Sequence, residues 1–367
     1  MKKHILIYGA GAIGRGYIPW IFNPEDYDFS YVETNSTLRS QLKKQLFFTS
    51  FCTKDNGYVS RTALIQHIYA PGEELTDLDQ FSAIITAVGP RHVLDLVTTF
   101  TQAKCPIILF ENDDTLAVTL QKLLPKQIIC FGIPDVITSN TAPTHLIEQD
   151  PLAIVTEEGV CFIDIKAKDL GGDCTYVSTE ELEKQWLAKL YIHNTPHCIA
   201  AYLGALCKKT YLHEGMQNPQ IYTLVKGAML EMCAMLKVRH KITPEFIDWY
   251  AEKELKRFSN ARLYDPISRV AREPFRKLAP DNRLIGAAQL ALCSGIVPHN
   301  IIKGILCACL YNKKNDPDFN ITYLVRALSP EQFLRLILKL NPNEALFKLL
   351  AQTWVPTIGE LKRIAQL

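Results

Sequence analysis

The sequence predicts an α/β protein in which a doubly wound N-terminal domain precedes a mostly α-helical C-terminal domain. Three observations carry that prediction. A short apolar run, HILIY at 4–8, stops at GAGAIGRG and is followed by the helix-compatible YIPWIF, so strand, glycine turn and helix come in order. Further apolar runs at 82–90, 105–112 and 127–134 alternate with helix-compatible stretches at 91–104 and 113–124, the rhythm of a parallel sheet. From residue 178 onward, helical periodicity and helix-start signals dominate.

Composition fits this division. The chain has 367 residues, 48% hydrophobic and 21% charged, enough to bury a large core, and its length suggests two domains, 1–175 and 176–367. Forty basic residues against thirty-eight acidic ones give +2, with no dense Lys/Arg stripe, so neither nucleic acid nor a membrane surface is an expected partner. A small molecule is. Eleven cysteines are scattered without a CxxC pair, and only Cys307-Ala-Cys309 lie close, which predicts reduced, mostly buried thiols and no metal site. The opening MKKHILIYGAGAIG holds an apolar run too short for a signal sequence, and no run approaches the roughly 20 residues of a membrane span. The expectation is a cytoplasmic monomer or small homo-oligomer.

In the first half, the glycine turn has the GxGxxG spacing. Gly9 allows the tight turn, Gly11 lets the backbone approach a pyrophosphate, and Gly14 lets the helix pack close to the strand, with Ile13 between them. The next run, FSYVE, ends at Glu33, where a carboxylate can bind both hydroxyls of an adenosine ribose and repels a 2′-phosphate. The pattern is that of a Rossmann-type domain, and the expected cofactor is NAD. Asn35, just beyond Glu33, joins the cofactor set. Ligands of such sheets lie at the carboxyl ends of the strands, which adds Thr86, Ala87 and Val88 to the cofactor residues and puts Glu111-Asn112 at the lip. Asn112 is a candidate contact to nicotinamide or substrate, or equally a helix-cap asparagine. Residues 152–166 read as two β-like pieces around Glu157-Glu158-Gly159, a hairpin closing the domain, and Gly171-Gly172-Asp173 marks its boundary.

The second half opens with Ser178-Thr179-Glu180-Glu181, a capping-box signature starting one helix that runs through KLYIHNTPHCIAAYLG to Gly204. On a regular helix Asn194 lies about 140° and His197 about 80° around from Lys189, and Pro196 is expected to kink the helix and free the Ile192 carbonyl. Chemically, a desolvated lysine can serve as a general base, an asparagine can donate to a developing oxyanion, and a histidine can orient a substrate hydroxyl. That set suits metal-free oxidation of a secondary alcohol. Structurally, Lys189 can instead snorkel to solvent while His197 sits in the core. His193 and His197 have the i, i+4 spacing of metal ligands, but no HExxH pattern or third ligand accompanies them, so no metal is expected. Further helices are expected at 217–238, 244–258, 283–294, 299–311 and 329–340. Between them, RFSNARLYDPISRVAREPFRKL concentrates cations whose planar forks suit phosphate oxygens, or which pair with Asp265 and Glu273.

These motifs in this order, GAGAIGRG at 9–16, TAVGP at 86–90, ENDD at 111–114, KLYIHNTPHCIAAYLG at 189–204, VKGAM at 225–229 and RVAREPFRKL at 269–278, make the chain resemble the polyol-specific long-chain dehydrogenases over nearly its whole length. The resemblance implies an active site between the two domains. It implies Lys189 as general base, Asn194 and Asn112 as stabilisers of the developing alkoxide, and His197 as a holder of substrate oxygens. For a phosphorylated substrate it points to Arg269, Arg272, Arg276 and Lys277, with Arg257 nearby. The implied activity is NAD-dependent interconversion of a sugar-alcohol phosphate and a ketose phosphate, with a free polyol or hexuronate substrate, or a non-catalytic NAD-binding relative, as alternatives. Three departures stand out: Pro196 where many members have glycine, Thr-Ser-Asn-Thr at 138–141 where a VDRI-like stretch is usual, and Asp113-Asp114 after Asn112.

Overall fold

Alternate residues of β1 (Lys3–Tyr8) enter opposite cores: Ile5 and Ile7 pack with Phe29 and Ile108, Leu6 and Tyr8 with Ile84 and Leu109. A strand covered on both faces must be apolar throughout, which is why HILIY lacks the polar alternation of a surface strand. The computed structural model describes every residue except Met1, Asn56, 74–77, Asn140, Thr141, Lys241, Phe319 and Leu367. It divides into two units, Met1–Trp186 with Arg262–Tyr264, and Leu187–Ala261 with Asp265–Leu367.

The first unit is built on a mixed sheet. After β1 come β2 (Tyr27–Val32), β3 (Phe47–Lys54), β4 (Gly57–Tyr69), β5 (Ala83–Thr86), β6 (Ile107–Leu109), β7 (Ile129–Asp135), β8 (Thr138–Ser139), β9 (Ile154–Thr156), β10 (Val160–Asp164) and β11 (Thr175–Val177). Their order across the sheet is β11-β10-β7-β6-β5-β1-β2-β4-β3-β9-β8. The parallel centre, β2-β1-β5-β6-β7, is the part the apolar runs predict. Its crossovers are the helix Ala12–Gly16 and its continuation Ile18–Ile21, a series of short turns over 90–100 in place of one helix at 91–104, and the helix Thr115–Leu123.

Three expectations are corrected at the edges. Residues 152–166 form no hairpin: β9 pairs parallel with β3, whereas β10 runs antiparallel to β7. The two strands are drawn apart because the Glu157 carboxylate between them accepts the Ile137 N–H at 2.7 Å. The true hairpin is β3–β4, and the sequence Asp-Asn-Gly at 55–57 is a hairpin signal that the apolar-run reading passed over. Gly171-Gly172 turns the chain into β11, still in the sheet, and the units divide only after Trp186. The Trp186 ring packs edge-on against Phe131 at 5.4 Å, which holds the helix Thr179–Ala188 to the sheet of the first unit. Arg262–Tyr264 belongs there too, since the Tyr58 hydroxyl donates to Arg262 O at 2.9 Å and the Ser139 hydroxyl to Tyr264 O at 3.0 Å.

The second unit is helical. The expected helices are present as Pro219–Arg239, Pro244–Phe258, Ile285–Cys293, His299–Cys309 and Pro330–Leu336, and a long one at Ala345–Ile364 is added. Pro356 inside that last helix weakened its signal in the sequence. Pro219–Arg239 and His299–Cys309 pack on a central helix, Thr195–Leu206, which is buried from Thr195 to Gly204. Gly304 lets His299–Cys309 close on it: a Cβ there would lie 2.4 Å from Ile199 Cγ1. All eleven cysteines are free thiols, seven of them buried. Among the described residues no helix is long and apolar enough to cross a membrane.

A Cβ on Gly14 would lie 2.0 Å from the Gly9 carbonyl oxygen, a backbone atom that cannot rotate away. Gly14→Ala is therefore expected to destabilise the protein by about 1–3 kcal/mol. Urea unfolding followed by tryptophan fluorescence reads this directly, and an unchanged midpoint contradicts the packing described.

Candidate active site

The glycine turn is held from three sides. Gly9, at φ 97°, donates to Val32 O at 2.9 Å, and a Cβ on it would meet Ala87 O at 2.5 Å, so both its dihedral and its neighbour require glycine. The Glu33 carboxylate accepts the N–H of Ala10 at 2.9 Å and of Asn35 at 2.7 Å. Buried Arg15, inside the motif, donates from Nε to Ala10 O and from Nη1 to Leu152 O, each at 2.6 Å. Gly11 is the open point of the loop, with nothing within 4 Å of its would-be Cβ.

A cavity of about 380 Å³ lies against this loop, lined by Gly9, Gly11, Glu33, Ala87 and Val88 among others. Thr86 is fully buried beneath it. Ile13 packs against the sheet core, and the Asn35 side chain caps the helix Ser36–Gln45 by accepting the Leu38 N–H at 3.0 Å, so neither lines the cavity. Glu111 does what the sequence reading assigned to no residue: its buried carboxylate accepts the N–H groups of Val88 and Gly89, both at 2.9 Å, and fixes the cavity wall. Burial raises its pKa and these two bonds oppose the rise. Neighbouring Asn112 is exposed, and Asp113 accepts the Thr115 N–H at 3.0 Å and hydroxyl at 2.7 Å, starting the next helix.

The stretch expected to be one kinked helix is three segments: an α-helix Thr179–Ala188, a π-helix Lys189–Asn194 and the α-helix Thr195–Leu206. Ser178 caps the first, accepting the Glu181 N–H at 3.3 Å. Pro196 has no N–H to return to Ile192 O, and the chain takes up the mismatch one turn earlier, where the Thr195 N–H reaches back five residues to Leu190 O. The proline thus sits in the first turn of the following helix, a position it tolerates.

Lys189, His193, Asn194 and His197 are all buried, and Asn194 Nδ2 has no hydrogen-bond partner among the described residues. His197 Nε2 meets Asp265 Oδ2 at 3.0 Å, and its ring stacks on Phe258 at 5.0 Å and 12°. Asp265 Oδ1 accepts from Arg269 Nε at 2.9 Å and Nη2 at 2.6 Å. His193 Nδ1 meets Glu254, which is also paired with Arg257. Burial pushes His193 down to about 4 despite Glu254, and lowers His197. For Asp265, burial acts upward but Arg269 and His197 outweigh it, holding the carboxyl at about 2. Glu254 and Phe258 escaped the sequence reading. The signal was an acid three or four residues before an arginine, at 254/257 and again at 265/269.

The basic stretch is mostly engaged. Arg257 holds Glu254 and Arg269 holds Asp265. Lys277, buried, donates to Val270 O and, at 2.5 Å, to Arg272 O, and burial lowers its pKa to about 7. Arg276 Nε reaches Glu273 at 3.0 Å, and exposed Arg272 approaches Glu273 only to 3.9 Å. Of the stretch 138–141, Asn140 and Thr141 lie outside the described residues.

Comparison with known proteins matches residues 3–122 to the mannitol dehydrogenase Rossmann domain and residues 181–329 to the mannitol dehydrogenase C-terminal domain. A mannitol-1-phosphate 5-dehydrogenase from Caldanaerobacter subterraneus subsp. tengcongensis is 28% identical over 340 residues, covering 85% of this chain and 87% of the relative. Two solved structures share the fold at 14% identity: Pseudomonas fluorescens mannitol 2-dehydrogenase in ternary complex with NAD and D-mannitol (TM-score 0.78, 100% of this chain and 94% of that one) and substrate-free D-sorbitol dehydrogenase (TM-score 0.68, 100% and 95%).

Two outcomes follow from the geometry. Glu111→Leu strands two backbone N–H groups at the cavity wall and should weaken NADH binding at least about tenfold, measured by fluorescence titration, since a buried unpaired donor costs about 1–3 kcal/mol. The folded pKa values of His193 (about 4, from 6.5) and Asp265 (about 2, from 3.8) are both depressed. The stability they contribute is complete above pH 6.5 and is lost as pH falls, first between 6.5 and 4, then between 3.8 and 2. The melting temperature should decline through the upper window, and His193→Leu should flatten that part of the profile.

Proposed function

Since this chain belongs to the mannitol dehydrogenase family of polyol oxidoreductases, we propose that it interconverts a sugar-alcohol phosphate and a ketose phosphate, mannitol 1-phosphate and fructose 6-phosphate, with NAD as cofactor and without a metal. The observation that carries the chemistry is the buried turn Lys189–Asn194 with His197 just beyond it, where the buried amide donor Asn194 Nδ2 has no hydrogen-bond partner among the described residues.

The first unit fits the cofactor. Glu33 Oε2 retains lone-pair capacity beyond the bond to Ala10, and Oε1, bonded to the Asn35 N–H, can exchange its long 3.4 Å contact with the Thr34 hydroxyl for a ligand, which suits the two hydroxyls of an adenosine ribose, while open Gly11 suits the approach of a pyrophosphate. Ala87 and Val88, the latter fixed through Glu111, complete the cradle. When bound, NAD supplies the acceptor for the hydride leaving the carbinol carbon.

The second unit handles the hydroxyl. In oxidation Lys189 takes the hydroxyl proton on Nζ as the carbon–hydrogen bond breaks, and in reduction it returns that proton to the carbonyl oxygen. Asn194 Nδ2 donates to the oxygen as it gains negative charge, with Asn112 as the second amide in that role. His197, fixed through Nε2 by Asp265, holds a further substrate oxygen.

Phosphate selectivity is assigned to Arg272 and Arg276, the cations of the basic stretch with the least engaged guanidinium groups. The similarity to relatives named mannitol-1-phosphate 5-dehydrogenase supports a phosphorylated substrate. The engagement of Arg257, Arg269 and Lys277 favours a second reading, the same chemistry on a free polyol or hexuronate.

Loss of NADH absorbance with fructose 6-phosphate, and not with free fructose, is the expected result and separates the two. Lys189→Ala should lower kcat by at least about a hundredfold while leaving NADH affinity within about twofold. Arg272→Ala and Arg276→Ala should raise KM for the phosphate ester alone; equal losses on both ketones would remove them from phosphate recognition.

A further inference from the structure

The reaction proposed above uses one of two imidazoles that lie a turn apart, and leaves the other, His193, without a task. His193 is buried, with its ring 4.8 Å from that of His197 and 5.4 Å from Phe258. Its Nδ1 bonds to Glu254, which is fully buried on the helix Pro244–Phe258 and flanked by Arg257 and, at 3.3 Å, by Lys253. Two cations pair with that carboxyl, and a carboxylate can only accept. The shared proton therefore belongs to Nδ1, and Nε2 carries a lone pair.

No described residue hydrogen-bonds to Nε2. The next residue in the chain presents the complementary vacancy: Asn194 Nδ2 is a buried donor, also without a partner. An acceptor and a donor on one π-helical turn, each lacking a protein partner among the described residues, match the hydroxyls of a polyol, since each hydroxyl can donate and accept.

We propose that His193 is a specificity-determining residue of the substrate site, accepting at Nε2 a hydrogen bond from the hydroxyl next to the reacting carbon, with Glu254 as the positioning residue that fixes its tautomer. This rests on the polyol reading and narrows it: in the reducing direction the substrate is an α-hydroxy ketone. Asn194 is assigned to the reacting oxygen, and the acceptor one residue earlier on the same turn to the next oxygen along the carbon chain.

The test compares wild type, His193→Leu, His193→Gln and Glu254→Ala on fructose 6-phosphate and its 1-deoxy and 3-deoxy analogues, with melting temperature and NADH affinity as controls of folding. Loss of one neutral hydrogen bond should raise KM for fructose 6-phosphate roughly tenfold in His193→Leu, with a smaller change in kcat. Glu254→Ala should do the same through the imidazole, and His193→Gln, whose amide oxygen accepts at similar reach, should recover most of the loss. On one deoxy analogue the wild type and His193→Leu should have equal KM, because the contacted hydroxyl is absent. A KM for His193→Leu within twofold of wild type, or one penalty common to all three ketones, overturns the assignment; should His193→Leu fail to bind NADH, the same comparison is read from Glu254→Ala. A wild type inactive on every ketone overturns the polyol reading itself, and this inference with it.

Discussion

The second unit turns on the hydrogen bond that Pro196 cannot make. In a regular helix that missing N–H would orphan a buried carbonyl in the middle of the core, at a cost the fold cannot ignore. The chain instead widens by one residue just before the proline, and the i to i+5 bond from Thr195 to Leu190 carries the ladder across. The widened turn is the segment that bears Lys189, His193 and Asn194, while the helix after it is buried almost without interruption and packed by Pro219–Arg239, Ile267–Ala271 and His299–Cys309. A flexible loop could expose the same groups but could not hold them buried and oriented; a helix with one irregular turn does both.

Around that turn the side chains are ordered by buried charge. Each imidazole has its own carboxylate, Glu254 for His193 and Asp265 for His197, and each carboxylate has its own arginine. Five of these six groups are buried, with Arg269 partly exposed, and taking them out of water is costly, so that removing one partner of a buried pair leaves the other uncompensated. The return on that cost is tautomeric definition: each ring presents one known nitrogen to whatever binds. The first unit solves a different problem in the same way. Backbone N–H groups at Ala10, Val88 and Gly89 are tied down by Glu33 and Glu111, so the glycine loop and the strand end beside it are rigid before any ligand arrives.

Much of this was legible in the sequence, and the reasons for success and failure are physical. Strands buried on both faces read as unbroken apolar runs, so the parallel centre of the sheet was found, and GAGAIGRG announced its own geometry because Gly9 and Gly14 have no room for a Cβ. The strands outside the centre were misread where pairing depends on distant partners: nothing local to 152–166 says that β9 joins β3 while β10 joins β7. In the second unit, Lys189, Asn194 and His197 were singled out as candidates by spacing and by resemblance, but their expected spacing on a regular helix differs from the observed geometry, since a π-helical turn leaves no composition signal apart from the proline that follows it. Glu254 and Asp265 were invisible as partners because they lie 61 and 68 residues from the histidines they hold. The cations of 257–277 could be read as phosphate ligands or as partners of Asp265 and Glu273, and two of them, Arg257 and Arg269, are counter-charges of that network.

The central claim is that the π-helical turn presents Lys189 and Asn194 to the oxygen that changes hybridisation. A crystal structure of the protein with NAD and a polyol phosphate measures this most directly. The account predicts one substrate hydroxyl within about 3 Å of both Lys189 Nζ and Asn194 Nδ2. A polyol bound with its hydroxyls away from both groups, or Asn194 Nδ2 still without a partner in the complex, would contradict it.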